Sequence, residues 1–378
     1  MMIQNLYGRP FGSPLLQSAI FQEIIGSQST PTHMVIEELG LAMSTHPGAK
    51  RARNEDRIAV ARIDGRNRET YTTLLVCDGV GGSESGDQAA ALAITSIIVD
   101  LTQQQEFSSL EELAIALIRR ADDLVRKELH GLGETTLVML LAKGDGEVVC
   151  ASVGDSRAYS WDTSLNKLDQ VTIDDTVEND LKDLPGNPAA LIKARGLQGR
   201  LSQAIGESGR TSGELRIQMY PRKSFHLGAV LGSDGLWRAA KDFETVVARA
   251  PVATDAVRRA ITIANWVGGV DNASIIAVED VGRLCGDQQR SYAPAGGGQA
   301  EVTLWLSSSK VKILGCDGIS DTKPVEMRGK SERPKKNVKR AVRRKGGGES
   351  QLELGVSEIK EPRPKIEVTI SEEPEKKE

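Results

Sequence analysis

The sequence predicts an α+β protein whose sheets are antiparallel. Two observations carry this. Short runs rich in Val, Ile and Leu follow one another across turns with no helix between them, as in 135–141, the turn 143–146 and 148–153. Parallel neighbours need a crossover, usually helical, so this order favours hairpins over a doubly wound sheet. Helical periodicity, in contrast, is confined to a few long segments, which gives strands and helices in blocks rather than in alternation.

The elements follow in order. Strands are expected at 72–77, 135–141, 148–153, 158–161, 229–231 and 273–278. A first helix, rich in Ala, Leu and Ile, is expected over 85–103. A second begins after Ser108, where Ser108 or Ser109 can cap it and Glu111 and Glu112 suit the positive end of the helix dipole. Leu110, Leu113, Leu117, Ala121 and Leu124 repeat at helical spacing and mark its buried face, and Gly131 supplies the stop. A third helix covers 254–266. Near the end, 302–306 and 311–314 read as a hairpin across 307–310.

Composition bounds the function. Apolar residues make up 39% and charged residues 26% of the 378, enough to bury a core, so a wholly disordered chain is excluded. Lys plus Arg is 48 and Asp plus Glu 52, a net charge of -4, which argues against a globally basic nucleic-acid binder. Cys77 and Cys150 sit in apolar runs as reduced, buried thiols, and with Cys285 and Cys316 form no CxxC pair. His33, His46, His130 and His226 show no zinc spacing. The longest apolar stretch falls short of the ~20 residues a bilayer needs, and no signal peptide is readable, so a cytoplasmic protein is expected.

Four regions are expected: an N-terminal extension (1–32), a core domain (33–282), a linker with a small hairpin (283–321), and a disordered charged tail (322–378). Between Arg328 and Lys345 the tail carries ten basic residues opposed only by Glu332, followed by a Glu-rich end. It is a solvated tail, or a docking site for an acidic partner, nucleic acid or anionic lipid.

One pattern recurs through the core: an aspartate beside Gly or a small polar residue at the edge of an apolar run. It occurs at Asp78 (TLLVCDGVGG), Asp155 (CASVGDSR) and Asp234 (AVLGSDGLW), and in related form at Asp271 (VGGVDNASIIAV). A fifth acidic site, Glu55 and Asp56 in RARNED, precedes another run. Any one such Asp-Gly is usually a turn. Together, strand ends of one layer can converge, and two carboxylates 4 Å apart repel by about 4 kcal/mol at an effective dielectric of 20. Divalent cations would relieve that. An all-oxygen set suits Mn²⁺ or Mg²⁺ over zinc, with the Gly79 carbonyl as a further ligand. Two such ions clamp a phosphate ester and make hydroxide from water at neutral pH. Arg51 supplies a guanidinium for phosphate, or is a surface arginine in a basic run with Lys50 and Arg53.

RARNEDR, VCDGVGGSESGDQAA, GETTLVML, ASVGDSRAYSW, RLSQAIG, AVLGSDGLW and GGVDNASIIAV occur in that order across two-thirds of the chain. The set resembles the metal-dependent protein phosphatases of the type 2C (PPM) family, most closely its bacterial branch. The resemblance implies a four-layer α/β/β/α sandwich around two central antiparallel sheets. It also implies hydrolysis of phosphoserine and phosphothreonine by a metal-activated water. Asp78 would bridge two Mn²⁺ or Mg²⁺ ions. Glu55 or Asp56, with the Gly79 carbonyl, would complete one site, and Asp234 with Asp271 the other. Asp155 matches the aspartate of a third, weaker site, Arg51 the phosphate-binding arginine, and about 174–199 a mobile flap.

This chain departs from the family pattern in three places. Val80 stands where many eukaryotic members carry a histidine proposed as general acid. The flap reads TIDDTVENDL where relatives often have Asp-His-Ser, and the C-terminal extension is no part of the family core. Its ILGCDGIS echoes the metal motifs at Asp317, which is read as a turn.

Phosphorylated proteins, the substrates of a Ser/Thr kinase, are the expected partners. A catalytically inactive phosphoprotein-binding scaffold of the same fold is the alternative. A nucleotide hydrolase is weaker, because Gly329-Lys330-Ser331 has Pro324 where a phosphate-binding loop begins with glycine.

Overall fold

The computed structural model describes residues 14–26, 31–64, 69–80, 85–103, 107–185, 188–238, 240–286, 300–314 and 368–371. The chain runs α1 (Pro14–Gly26), β1 (Thr32–Ile36), β2 (Leu41–His46), β3 (Arg57–Asp64) and β4 (Thr70–Cys77). Then come α2 (Gly86–Leu101), α3 (Leu110–Glu128), β5 (Leu137–Lys143), β6 (Val148–Val153), β7 (Arg157–Asp162) and β8 (Lys167–Gln170). Two short helices, α4 (Val177–Leu181) and α5 (Pro188–Ala194), precede β9 (Gln218–Pro221) and β10 (Gly228–Gly232). The remainder is α6 (Phe243–Ala248), α7 (Ala253–Trp266), β11 (Ala273–Val278), β12 (Glu301–Leu306), β13 (Ser309–Leu314) and β14 (Val368–Ser371).

The strands form two antiparallel sheets. One has six strands in the order β1-β2-β11-β10-β7-β8, the other eight in the order β14-β13-β12-β3-β4-β5-β6-β9. Because side chains alternate across a strand, each central strand feeds two cores. Ile58, Val60, Leu74, Val76, Val138 and Leu140 meet Met43, Leu231 and Ile276 between the sheets. The alternate residues Ala59, Ala61, Ile63, Leu75, Met139 and Leu141 pack outward with α1, α2 and α3. On the other side Val230, Ile275 and Ala277 pack with α6 and α7 through Phe243, Val247, Val257 and Ala260. Burial on both faces explains the unbroken apolar runs. The result is the expected four-layer α/β/β/α sandwich.

The second long helix starts as anticipated: Ser109 Oγ accepts from the Glu112 amide at 3.1 Å, while the Ser108 amide donates to the Glu112 carboxylate at 3.0 Å. Val125 is buried completely where the sequence stripe ends on Leu124, which is only partly buried. Gly131 stops the helix at φ +73, its amide bonding to the Arg126 carbonyl at 3.1 Å.

Both ends of the chain hold more order than the sequence suggested. Within the N-terminal extension, α1 buries Leu16, Ile20 and Ile24, a four-residue spacing that places them on one face. The C-terminal hairpin forms, with Leu306 opposite Ser309, and joins the core sheet by pairing Trp305 with Val60 and Val302 with Ile63. Val368–Ser371, in the segment expected to be disordered, pairs with β13. The basic block 328–345, Asp317, Gly329-Lys330-Ser331 and the linker 291–299 lie outside the described residues. Cys77 and Cys150 are free and buried, as read from their apolar runs. Among the described residues no helix is long and apolar enough to cross a membrane.

Candidate active site

Antiparallel register brings the acidic residues together. Arg57, which opens β3, pairs with Cys77, which closes β4, so Glu55 and Asp56 emerge beside Asp78. In the other sheet Gly232, at the end of β10, pairs with both Arg157 of β7 and Ile275 of β11. Asp155 precedes β7, Asp234 follows β10, and Asp271 precedes β11, so these three leave the sheet at one edge. The two edges face each other. A cavity of about 480 Å³ is lined by Arg51, Glu55, Asp78, Gly79, Asp155, Asp234 and Asp271, with Arg200, Arg238, Glu134 and Asn272 among its other walls.

All the residues singled out from sequence are therefore at one place. Asp56 differs from the rest: it is fully buried behind the wall, and the Ser233 hydroxyl donates to its Oδ2 at 2.7 Å. Gly79 is required by close approach, since a Cβ there would stand 2.5 Å from the Gly86 carbonyl and 2.9 Å from that of Glu55. The Asp78 amide donates to Thr136 Oγ1 at 3.0 Å, and the Thr136 amide returns a bond to the Asp78 carbonyl at 2.9 Å. This ladder continues β4 past its last residue and holds the aspartate in place.

Asn272 and Arg238 were missed by sequence reasoning. Asn272 Oδ1 accepts from the Glu55 amide at 2.8 Å, and its Nδ2 donates to the carbonyls of Pro47 and Arg53 at 2.8 and 3.0 Å. It ties the Arg51–Glu55 loop to the head of β11. Its position next to Asp271 in the VDNAS run was the available signal. Arg238 is in ion-pair contact with Asp155 at 2.7 Å and Asp234 at 2.8 Å. Nothing local in GLWRAA distinguishes it from a surface arginine.

Electrostatics follow from crowding. Burial, then the charges of Asp56, Asp234, Asp155 and Asp271, push the Asp78 carboxyl well above its ordinary range. Burial and the neighbouring Asp155 raise Asp234 to about 7, against the pull of Arg238. Burial raises Asp56 to about 6 despite the Ser233 and Ser274 hydrogen bonds. Glu55 is raised by burial, while Arg53 and Arg51 oppose the shift. Arg51 Nη2 contacts Asp271 Oδ2 at 2.7 Å, and that hydrogen bond is the main cause of its raised pKa.

The donor set fits hard divalent ions. It is carboxylate and carbonyl oxygen throughout, and Asp56 Oδ1 and Asp234 Oδ1 are buried with no hydrogen-bond partner among the described residues. Such orphaned oxygens amid mutual repulsion are what a cation would satisfy. Among the described residues no three His, Cys, Asp or Glu side chains stand close enough together to chelate one ion, and guanidinium groups tie Asp155, Asp234 and Asp271 instead.

The segment 174–199 stands beside this cavity, and Gly199, Arg200 and Leu201 line it. The two aspartates that open it anchor its base. Asp174 takes a forked bond from Arg157 at 2.9 and 2.7 Å, and Asp175 accepts from the Gly154 amide at 2.9 Å and from Gln203 at 2.8 Å.

Comparison with known proteins agrees with this architecture. No protein-family model matches the chain. In sequence it is 26% identical over 254 residues to the serine/threonine phosphatase Stp of Listeria welshimeri, covering 62% of this chain and 93% of that protein. It is 24% identical over 250 residues to the protein phosphatase PhpP of Streptococcus pneumoniae, covering 63% and 96%. In structure it resembles the PPM Ser-Thr phosphatase MsPP of Mycobacterium smegmatis, with a TM-score of 0.51, 23% identity, and 64% and 98% of the two chains covered. It also resembles Stp1 of Staphylococcus aureus, with a TM-score of 0.52, 20% identity, and 64% and 94% covered. The fold is that of the PPM-type phosphatases. The sequence resemblance to the bacterial, type 2C branch of that family is borne out by the sequence relatives, and the solved structures share the fold.

Proposed function

We propose that this chain is a metal-dependent protein phosphatase that hydrolyses phosphoserine and phosphothreonine on proteins. The observation that carries the reading is the convergence of Glu55, Asp78, Asp155, Asp234 and Asp271 with Arg51 on one cavity, from segments scattered over some two hundred residues. Glu55, Asp78 and the Gly79 carbonyl would hold one Mn²⁺ or Mg²⁺, and Asp78 and Asp234, joined by Asp271 once Arg51 releases it, a second. Bound there, the ions would supply a hydroxide from water and polarise the phosphoryl oxygens.

The chain's own groups do the rest. Arg51, already at the cavity wall, presents two N–H donors to the phosphate once it releases Asp271. Asp56 serves from behind the wall: bonded to Ser233, it ties the head of β3 to the end of β10 in the facing sheet. Val80 has no proton to give, so leaving-group protonation falls to water or to Glu134. Glu134 lines the cavity, and its carboxyl is raised by burial and by Glu207. The named relatives act as protein phosphatases, which supports phosphorylated proteins, the products of a Ser/Thr kinase, as substrates. The cytoplasm and a docking role for 328–345 remain part of the proposal.

The test is turnover of p-nitrophenyl phosphate and of a phosphothreonine peptide with and without Mn²⁺. Activity is expected only with the metal, and Asp78→Ala or Asp234→Ala should abolish it. Metal-independent turnover, or full activity in either variant, would overturn the assignment. Binding of the phosphopeptide without turnover in excess Mn²⁺ would favour the scaffold reading.

A further inference from the structure

Arg238 bridges Asp155, which the family resemblance would give to a third ion, and Asp234, which it gives to the second. Its Nη2 donates to Asp155 Oδ2 at 2.7 Å, and its Nε lies 2.8 Å from Asp234 Oδ2. The same Nη2 also donates to the Gly199 carbonyl at 3.0 Å. One guanidinium thus joins the ends of two strands to the segment beside the cavity.

The arrangement is built in advance. Asp234 opens a single helical turn, and the Arg238 amide bonds to its carbonyl at 3.0 Å, which fixes the i,i+4 geometry. The preceding Trp237 is wedged among aromatics, 6.0 Å from the Tyr159 ring and 6.1 Å from Phe243, with the Arg157 guanidinium 4.6 Å over its face. The backbone that carries Arg238 is therefore locked, and its planar fork spends little conformational freedom on its contacts.

Resting on the two-ion reading above, we propose that Arg238 is a resident cation occupying the Asp155–Asp234 pair, so that this chain takes up two divalent ions rather than three. A divalent ion at that pair would have to displace a covalently attached positive charge already neutralising both carboxylates. Arg238 is then a positioning residue. It holds Asp234 toward the two-ion centre and fastens the segment at Gly199 by the same group.

The test counts bound Mn²⁺ by equilibrium dialysis and elemental analysis on the full chain, with amide hydrogen exchange over 197–202 as a second readout. The wild type should hold two ions and Arg238→Ala three, the third disappearing again in Arg238→Ala/Asp155→Asn. Exchange over 197–202 should be faster in Arg238→Ala. Arg238→Lys keeps a positive charge but loses the fork, so it should hold two ions with the faster exchange, which also separates the effect from misfolding. Equal counts of two or three in wild type and Arg238→Ala would overturn the assignment of Arg238. Fewer than two ions on the wild type would instead count against the two-ion reading.

Discussion

The Ser233 hydroxyl, at the end of β10 in one sheet, donates to the Asp56 carboxylate at the head of β3 in the other, across 2.7 Å. Ser233 is itself held by two bonds to Ser274: the Ser274 amide donates to its Oγ at 3.0 Å, and its own amide donates to the Ser274 carbonyl at 3.0 Å. The two sheets are stitched together directly behind the cavity. Ser233→Ala removes the hydroxyl that donates to Asp56 Oδ2. Since an unsatisfied buried polar group costs about 1–3 kcal/mol, denaturant unfolding should report a loss of that order. An unchanged midpoint would mean that water takes over the bond.

Repulsion among the carboxylates predicts opposite effects of one substitution on stability and activity. Asp78→Asn removes the charge at the centre of the cluster and, with it, a ligand to both proposed ions. Turnover should vanish, while thermal unfolding in EDTA should move upward, by about 2–4 °C for each kcal/mol relieved. Adding Mn²⁺ should raise the melting temperature of the wild type and leave that of the variant nearly unmoved.

Arg51 is bonded to Asp271 through one guanidinium arm and has its side chain 40% exposed, so it is free to meet a phosphate. Arg51→Ala should lower kcat/KM by about 100–1000-fold, as loss of a preorganised donor does. Arg51→Lys should recover only part of this, because an ammonium cannot make the forked contact. Full recovery would point to a charge effect without geometry.

Asp100, in the last turn of α2, is buried, and burial raises its carboxyl to about 7 despite Arg120. Its folded pKa lies above the unfolded value near 3.9, so between roughly pH 4 and 7 the native state holds the extra proton. This contribution to stability is complete below pH 4 and is lost as pH rises through 7. Asp100→Asn should therefore flatten the fall in stability over that range and stabilise the protein at pH 8, by a few kcal/mol at most. Parallel pH profiles for the two proteins would refute the shift.

The hairpin makes its own prediction. Val302, Leu304, Leu306, Val311 and Ile313 are all buried in the core behind β3. A chain ending at residue 286 would strip these side chains, each worth about 1.5–3 kcal/mol, and bare an apolar sheet edge, so it should aggregate on expression. A chain ending at 321 keeps them and should turn over a small ester as fast as the full protein.

Much of this could be read along the chain because it depends on near neighbours. The apolar runs of β6 and β11 reveal their own ends, 148–153 and 273–278, and Ser109 with Glu112 announces the helix that follows. The acidic residues were visible for the same reason, since each interrupts a local pattern at a strand edge. Leu16, Ile20 and Ile24 were equally regular, but polar neighbours obscured them, and what makes them core is the surface of α2 far along the chain.

Arg238 and Asn272 mark where that reading stops. Apart from the contact of Arg238 with Asp234 four positions before it, each belongs to the site through partners 39 to 225 positions away, and such partners are set by strand register, which no local pattern encodes. Residue types and their order were enough to establish the class of fold, the oxygen-rich chemistry and the candidate carboxylates. Which of those carboxylates faces the cavity, which lies behind it, and which is already neutralised by an arginine came from packing. The reason is that burial and Coulomb energy depend on distance through space, and folding alone sets that distance.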